Sequence, residues 1–549
     1  MPYYLGPKEG HSVRWYYNKQ PFAGTQLPLS VDTFGFAKND QHPENGVIPV
    51  DYVNKGPDVL LKASFRVLLA PFIDMNQAGI DEKQRKTCID EADDTMRKID
   101  TFTARSWLKL YGVHPDDINP DGSVKGSPTL DKLLLLGPNK DMGYSPAVIQ
   151  WIETTQTGTT GWYDMALSQT IMEAADFGEG SLDMEGNAWV PDKGPYQDFE
   201  WGCVDGGSEE ITKGMLKLTE ANAADIINKK VTAVKKQGDK LDVSFFRKNK
   251  DGNEVKDSKA FDQVICTATL GCMATMDLDD VVSYTQSVAI RCLQYDASCK
   301  IGVRFKTRWW QDEKVMGEGQ TIYGGVSKSD LPLSNVVYPS YGADDPADAA
   351  GVLICSYTWA QDARVRIEVS ASHSLLKLQR LGALIGKGGE MSTELRTIVV
   401  RDLAKIHQLQ EGDIDERIDG SYCYAWYNDP SYRGAFAIFG PSQFYDTVPT
   451  DDNKHAGASL FDSVKVPGPG GRFHIAGEAT STHHGWIIGA LNSGWRAVNN
   501  VIKGCSDQED LYKKLLKKWG FPDEEPKTGI QDDAYETGRS GVDFSVSRG

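Results

Sequence analysis

The chain has 549 residues, more than a single hydrophobic core accommodates, so about two or three domains are expected. Its formal net charge of −18 argues against partnership with nucleic acid or an anionic membrane surface, because both attract basic proteins. No apolar run reaches the length of a membrane span, and the richest one, Phe65 to Ile73, is interrupted by Pro71.

The nine cysteines form no C-x-x-C pair, which argues against a zinc site and against a dense disulfide framework. The first residues, Met1-Pro2-Tyr3-Tyr4, have neither the basic nor the apolar region of a signal peptide. We expect a cytoplasmic protein if Met1 is the genuine start. An extracellular location stays open if a signal peptide preceded it.

The first third of the chain is predicted to be mainly helical, after strand-like pieces at 12–17 and 33–36. Apolar residues with helical spacing run from Asp58 to Tyr111 and again from Tyr144 to Phe177.

The middle of the chain is predicted to be rich in strands. Asp205-Gly206-Gly207-Ser208 precedes a predicted helix from Glu209 to Ala224. The predicted strands that follow are 229–234, 241–246, 261–267, 300–310, 352–359 and 435–440, with a helix at 394–407. After Gly504 we predict one more helix, 508–519, and a disordered C-terminal end.

The stretch from Gly471 to Val498 predicts a strand at 472–476, an acidic turn at Gly477-Glu478 and a helix from Gly485. A strand, turn and helix in this order place the free N–H groups of the helix at the carboxyl end of the strand, where polar or anionic ligand groups bind. Small residues at 485, 489, 490 and 494 leave one helix face bare, so a flat ligand could lie against the backbone. A tightly packed C-terminal helix is the alternative interpretation.

This stretch resembles the C-terminal signature of the flavin-containing amine oxidase family. The helix after Asp205-Gly206-Gly207, the strand that begins at Val231 and the strand 262–267 resemble the FAD-domain segments of that family, in the same order. The resemblance extends over roughly residues 1 to 505, and the most similar group is the fungal and bacterial L-amino acid oxidases.

The resemblance implies an α/β fold of mixed α+β character. An FAD/NAD(P)-binding, Rossmann-like domain, incomplete at its N-terminus, would accompany a substrate domain made of a mixed sheet and helices. The implied division is 1–195 (first part of the substrate domain, with a helical subdomain), 196–275 (FAD domain), 276–444 (mixed-sheet part of the substrate domain), 445–505 (C-terminal part of the FAD domain) and 506–549 (tail).

Lys300 lies at the head of an otherwise apolar strand that ends at Phe305. A lysine there either extends its ammonium group to solvent or has a shifted pKa and a function. The resemblance favours the second interpretation, since a lysine at the matching place in the family binds a water next to flavin N5. Lys300 is the predicted catalytic residue.

Each aromatic residue of the middle segments, taken singly, is more typical of a core than of a binding site. The resemblance implies that Trp426 and Trp486 form the walls of a substrate cavity. The substrate contacts that it implies are Trp426, Gly485, Trp486 and Tyr357, and the cofactor contacts are Val231, Gly477, Glu478, Trp486, Ile487 and Ala490. His483 and His484 could be a catalytic base or metal ligands, but packing of the turn is the better interpretation, and we expect no metal.

The strand–G-x-G-x-x-G–helix unit that binds the pyrophosphate in this family is missing from the sequence. Either Met1 is an internal methionine of a longer reading frame, or the protein is a non-catalytic relative that has lost this half. We therefore expect the 549-residue chain to bind FAD poorly.

The function implied by the resemblance is FAD-dependent oxidation of L-amino acids by O2 to 2-oxo acids, ammonia and hydrogen peroxide, by a homodimer. A primary amine or polyamine oxidase is one alternative. A truncated, non-catalytic relative that acts as a binding protein is the other. The sequence does not identify the preferred side chain.

Overall fold

The computed structural model describes residues 7–25, 32–38, 46–75, 81–120, 122–126, 128–137, 142–156, 160–176, 202–221, 229–248, 253–342, 344–363, 381–386, 388–445, 459–520 and 522. The strands are β1 (Val13–Tyr17), β2 (Gln20–Gly24), β3 (Val231–Gln237), β4 (Lys240–Lys248), β5 (Glu254–Phe261), β6 (Val264–Cys266), β7 (Tyr295–Asp296), β8 (Ser298–Phe305), β9 (Val326–Ser329), β10 (Asn335–Val337), β11 (Gly351–Trp359), β12 (Ile418–Ala425), β13 (Phe436–Ala437) and β14 (Phe473–Ile475).

The helices of the first part of the chain are α1 (Val50–Lys55), α2 (Pro57–Met75), α3 (Glu82–Ile99), α4 (Ala104–Tyr111), α5 (Leu130–Leu136), α6 (Pro146–Gln156), α7 (Leu167–Asp176) and α8 (Glu209–Ala221). Those of the second part are α9 (Leu270–Met273), α10 (Tyr284–Cys292), α11 (Glu313–Met316), α12 (Ala360–Ala363), α13 (Thr393–His407), α14 (Glu411–Asp415), α15 (Leu460–Ser463), α16 (Ile487–Lys503) and α17 (Gln508–Trp519).

Helices dominate the first third of the chain, as predicted. Capping boxes begin two of them, at Asp81 for α3 and at Thr103 for α4, because each cap side chain accepts a backbone N–H that has no partner within the helix. Their apolar faces share one core, in which Trp107 and Ile152 are fully buried.

A seven-stranded sheet with the order β12-β8-β11-β10-β9-β1-β2 forms the second part of the fold. It is mixed, since β1 pairs with β9 in parallel and the other neighbours are antiparallel. We call it the mixed sheet. In its strand β8, Ile301 and Val303 are fully buried in the same core as α13, whereas Lys300 and Gly302 point to the other face.

Three smaller sheets complete the described strands: antiparallel β3-β4-β5, antiparallel β7-β13 and parallel β6-β14. The predicted strand–turn–helix of the C-terminal stretch is confirmed as β14, a short 3-10 turn at Glu478–Thr480 and α16. Among the described helices, none combines the length and the apolar character that crossing a bilayer requires.

Some predicted elements were wrong in extent. The strand predicted at 261–267 is divided between β5 and β6, and the one at 435–440 shrinks to the two residues of β13. Residues 33–36 include a turn instead of a strand, and the strand predicted at 300–310 ends at Phe305. The predicted disordered end of the tail and the last residues of the helix predicted at 209–224 lie outside the described residues.

Candidate functional site

The register of the mixed sheet places Lys300 between two aromatic residues. Lys300 on β8 lies opposite Tyr357 on β11 and opposite Tyr424 on β12. Its Nζ is 4.3 Å from the centre of the Tyr357 ring and 5.8 Å from the centre of the Trp426 ring. Both distances are within the range of a cation–π contact, so the ammonium group is held against aromatic faces.

Further rings extend this surface. Trp359 contacts Tyr357 at 5.4 Å and Phe436 at 6.3 Å between ring centroids, and Tyr424 contacts Trp426 at 5.1 Å. We call these five residues the aromatic cluster: Tyr357, Trp359, Tyr424, Trp426 and Phe436.

Lys300 is half-buried, and its burial lowers the pKa of the ammonium group. Among the described residues, no carboxylate forms an ion pair with it. Its three N–H donors can therefore be directed to a small molecule on the aromatic cluster.

The turn after β14 is organised around Glu478. Its carboxyl oxygens accept hydrogen bonds from the backbone N–H of Ala437, at 3.0 Å, and of Gly485, at 2.9 Å. The residue is partly buried, and desolvation of its carboxyl group raises the pKa to about 7.

Other polar contacts attach the turn to α16. Ser493 Oγ accepts the Gly477 N–H at 2.9 Å, and the buried Arg496 donates to Thr480 Oγ1 at 2.6 Å. A Cβ at Gly489 would lie 2.3 Å from the carbonyl oxygen of His483, so only glycine permits this approach of helix to turn.

The turn and the aromatic cluster meet at Phe436. A Cβ at Gly485 would lie 3.7 Å from the Phe436 ring, and the same ring contacts Trp359. The structure thus connects the acidic turn, Phe436 and the face of β8 that carries Lys300.

Residues 170–502 match the family model of flavin containing amine oxidoreductases. The chain belongs to this family. FAD is the cofactor of the family.

Individual relatives of this chain are consistent with the match. It is 37% identical over 387 residues to a Dictyostelium discoideum protein named as a bifunctional amine oxidase, an alignment that covers 69% of this chain and 30% of the relative. It is 34% identical over 384 residues to L-amino-acid oxidase 4 of Hebeloma cylindrosporum, with 69% and 53% of the two chains covered. The chain thus spans about a third to a half of these relatives.

Among solved structures, cyclohexylamine oxidase from Brevibacterium oxydans IH-35A is similar, with a TM-score of 0.49 and 11% identity over 93% of this chain and 82% of that chain. A similarity of this size carries no argument about function.

Part of the flavin site that the family implies fits the residues of this chain. The space beside Gly477 is open where a Cβ would stand, and α16 begins after Trp486 without a side-chain cap on its first N–H groups. Ile487 is 52% exposed, and Ala490 is exposed on the same helix. These residues fit one side of a flavin, whereas the 549 residues contain no G-x-G-x-x-G loop for its pyrophosphate.

The structure brings some of the predicted site residues together. Lys300, Tyr357 and Trp426 form one group, and Gly477, Glu478 and Gly485 form another. Val231 lies at the start of β3, in the three-stranded sheet, where it pairs with Phe245. The roles predicted for all these residues remain predictions.

His484 is a packing residue. It is buried among Phe439, Phe444 and Phe461, and its Nδ1 lies 2.8 Å from Gln169 Oε1. Burial lowers its pKa to about 3, which keeps the ring neutral. Within the described part of the chain, no group of three or more His, Cys, Asp or Glu side chains could hold a metal ion.

Tyr424 and Tyr295 were missed by the sequence reasoning. Tyr424 lies two positions before Trp426, so strand alternation would have placed both on one face. Tyr295, whose hydroxyl faces Glu478, carries no such signal because the contact joins distant segments.

Proposed function

We propose that this protein carries out FAD-dependent oxidative deamination of L-amino acids. The observation that carries the proposal is Lys300, held on the aromatic cluster beside Tyr357. The name of the Hebeloma cylindrosporum relative supports an L-amino acid as the substrate.

The aromatic cluster excludes water and holds the substrate in one orientation, which a hydride transfer from carbon requires. Lys300 directs N–H donors into this dry surface and can hold a water or a polar substrate atom. Bound flavin supplies the hydride acceptor. The start of α16 has no side-chain cap, so its first backbone N–H groups can bind polar atoms of the flavin.

A primary amine or polyamine oxidase is the second candidate. The name of the Dictyostelium discoideum relative favours it. The two candidates differ in whether the substrate carries a carboxylate, so a substrate panel separates them.

The test measures flavin absorbance of the purified protein after incubation with excess FAD, then peroxide release with L-amino acids, D-amino acids and primary amines. Because the 549 residues contain no G-x-G-x-x-G loop, we expect weak retention of flavin. From the fraction of protein that retains flavin, we expect peroxide with L-amino acids only. Peroxide from amines alone would support the second candidate, and bound flavin without turnover on any substrate would contradict both. If no flavin is retained, substrate binding is measured instead by tryptophan fluorescence. We then expect L-amino acids, but not amines, to quench the fluorescence.

A matched pair of lysine variants tests the role of Lys300. Lys300→Met is expected to lower kcat at least about 100-fold, the usual contribution of a positioned proton-handling group. Lys306→Met is the control, because Lys306 directly follows the same strand and donates to the carbonyl of Glu416. Equal effects of the two substitutions would contradict the role of Lys300.

A further inference from the structure

Three elements converge on the carboxyl group of Glu478. The N–H of Ala437 lies 3.0 and 3.3 Å from its two oxygens, and the N–H of Gly485 lies 2.9 Å from Oε2. The hydroxyl of Tyr295 faces the same carboxyl from β7. The carboxyl group thus contacts two backbone N–H groups and one hydroxyl of the protein itself.

The contact with Ala437 takes the place of a strand partner. In the β7–β13 pair, Ala435 N donates to Asp296 O at 2.8 Å and Ile438 N donates to Gln294 O at 3.1 Å. The N–H of Ala437 instead points to Glu478. An N–H on the open edge of a strand needs an acceptor, and here a side chain supplies it.

The contact with Gly485 fixes the start of α16. Gly485 has φ +77°, a conformation that favours glycine, and Trp486 follows it as the N-cap of the helix. Phe436 precedes Ala437 and packs on Trp359. One carboxyl therefore holds both Phe436 and Trp486 in place.

We propose that Glu478 is a positioning residue that joins the β13 strand to the Gly485–Trp486 turn and so fixes the distance between two walls of the site. This inference rests on the proposed function, because the two walls enclose a substrate only if that function is correct. Its test does not depend on turnover. A carboxylate suits the role because it offers only acceptors to the backbone N–H groups. A glutamine would present an amide NH2 to one of these donors.

The test is acrylamide quenching of tryptophan fluorescence in the protein without added flavin. The contribution of Trp486 is the difference between each variant and the same variant that also carries Trp486→Phe. We expect Glu478→Gln to increase the quenching of Trp486 roughly twofold, because an N–H left facing an amide NH2 releases the turn. Glu478→Asp, one methylene shorter, should give an intermediate increase, and it serves as the second variant if Glu478→Gln does not fold.

Glu153→Gln is the matched control. Glu153 is a buried carboxylate on α6 that accepts the N–H of Tyr163 at 2.9 Å and pairs with Arg105. Its substitution should lower the melting temperature and leave the Trp486 signal unchanged. Unchanged Trp486 quenching in folded Glu478→Gln or Glu478→Asp would overturn the proposal, as would an equal increase in Glu153→Gln. Failure of the proposed function shows differently, as absent peroxide with a Trp486 signal that still depends on Glu478.

Discussion

The mixed sheet and the C-terminal unit, which comprises β6, β14, the turn at 476–486 and α16, are built in different ways. The mixed sheet buries one face of its strand β8 completely, with Ile301 and Val303 at 0% exposure. The C-terminal unit has a two-stranded parallel sheet, and α16 exposes Ile487 and Leu491 at 52% and 42%. Strand β14 is buried at all three positions, so this exposure belongs to the helix and not to the strand.

The polar contacts differ in the same way. The core of the mixed sheet contains a continuous hydrogen-bonded path from Ser327 through Tyr338 to His407. In the C-terminal unit, Glu478 and Arg496 hold single turns to neighbouring elements. The Lys300 side of the site thus rests on the apolar core of the mixed sheet, whereas the hydrogen bonds of Glu478 and Arg496 add to the apolar packing of the C-terminal unit.

The largest expected effect is a loss of stability when the mixed-sheet core is truncated. Ile301→Ala should lower the free energy of unfolding by about 3 kcal/mol, because it removes fully buried methyl groups and leaves a cavity. The control Val352→Ala, 40% exposed on the neighbouring strand, should change it by less than about 0.5 kcal/mol. Urea denaturation measures both. Similar losses of unfolding free energy in the two variants would show that burial in this core does not stabilise the mixed sheet.

Gly489→Ala tests how closely α16 docks on the turn. The new Cβ would overlap the carbonyl of His483, so we expect a loss of about 2 kcal/mol. Gly494→Ala is the matched control in the same helix, because a Cβ there meets nothing within 4 Å, and it should stabilise by about 0.5–1 kcal/mol. Thermal unfolding measures both changes in stability, and the melting temperature should fall for Gly489→Ala and rise for Gly494→Ala. A gain from both would mean that α16 does not dock tightly.

The C-terminal unit contains two buried histidines, His474 and His484, and the mixed-sheet core contains His407. The pKa shift is large for His407 and His484. Burial lowers the pKa of both to about 3, below the unfolded value. The unfolded state therefore binds protons first, so stability is full above about pH 6.5 and falls as pH drops toward 3. At pH 5 the lowered pKa of each histidine should reduce the free energy of unfolding by about 2 kcal/mol.

The measurement is the melting temperature between pH 7 and pH 5. His407→Gln and His484→Gln should each reduce the acid-induced loss of stability. A pH dependence that neither substitution alters would contradict the assignment.

The smallest expected effect lies on the exposed face of α16. Leu491→Ala should change the free energy of unfolding by less than about 0.5 kcal/mol, since the side chain is already largely in water. A loss approaching that of Ile301→Ala in urea denaturation would mean that this face is covered in solution, and it would remove the contrast between the two regions.

Local patterns in the sequence predicted the elements that carry the site. The largely apolar run that ends at Phe305 predicted the strand of Lys300, and the Gly477-Glu478 turn with its small-residue helix predicted the order of β14 and α16. The missing G-x-G-x-x-G motif was also visible in the sequence alone. The two-residue length of β13 was not visible in the sequence, because the N–H of Ala437 donates to the side chain of Glu478 and not to a neighbouring strand.

Only the tertiary structure decided which residues meet. Lys300 faces Tyr357 and Tyr424 because of the register of three strands, and Glu478 reaches Ala437 across 41 positions of the chain. A shift of one residue in that register would turn Lys300 to the buried face, yet it would leave the local pattern of each strand unchanged. The sequence by itself therefore determines the family and the elements, while long-range pairing determines the arrangement of the site.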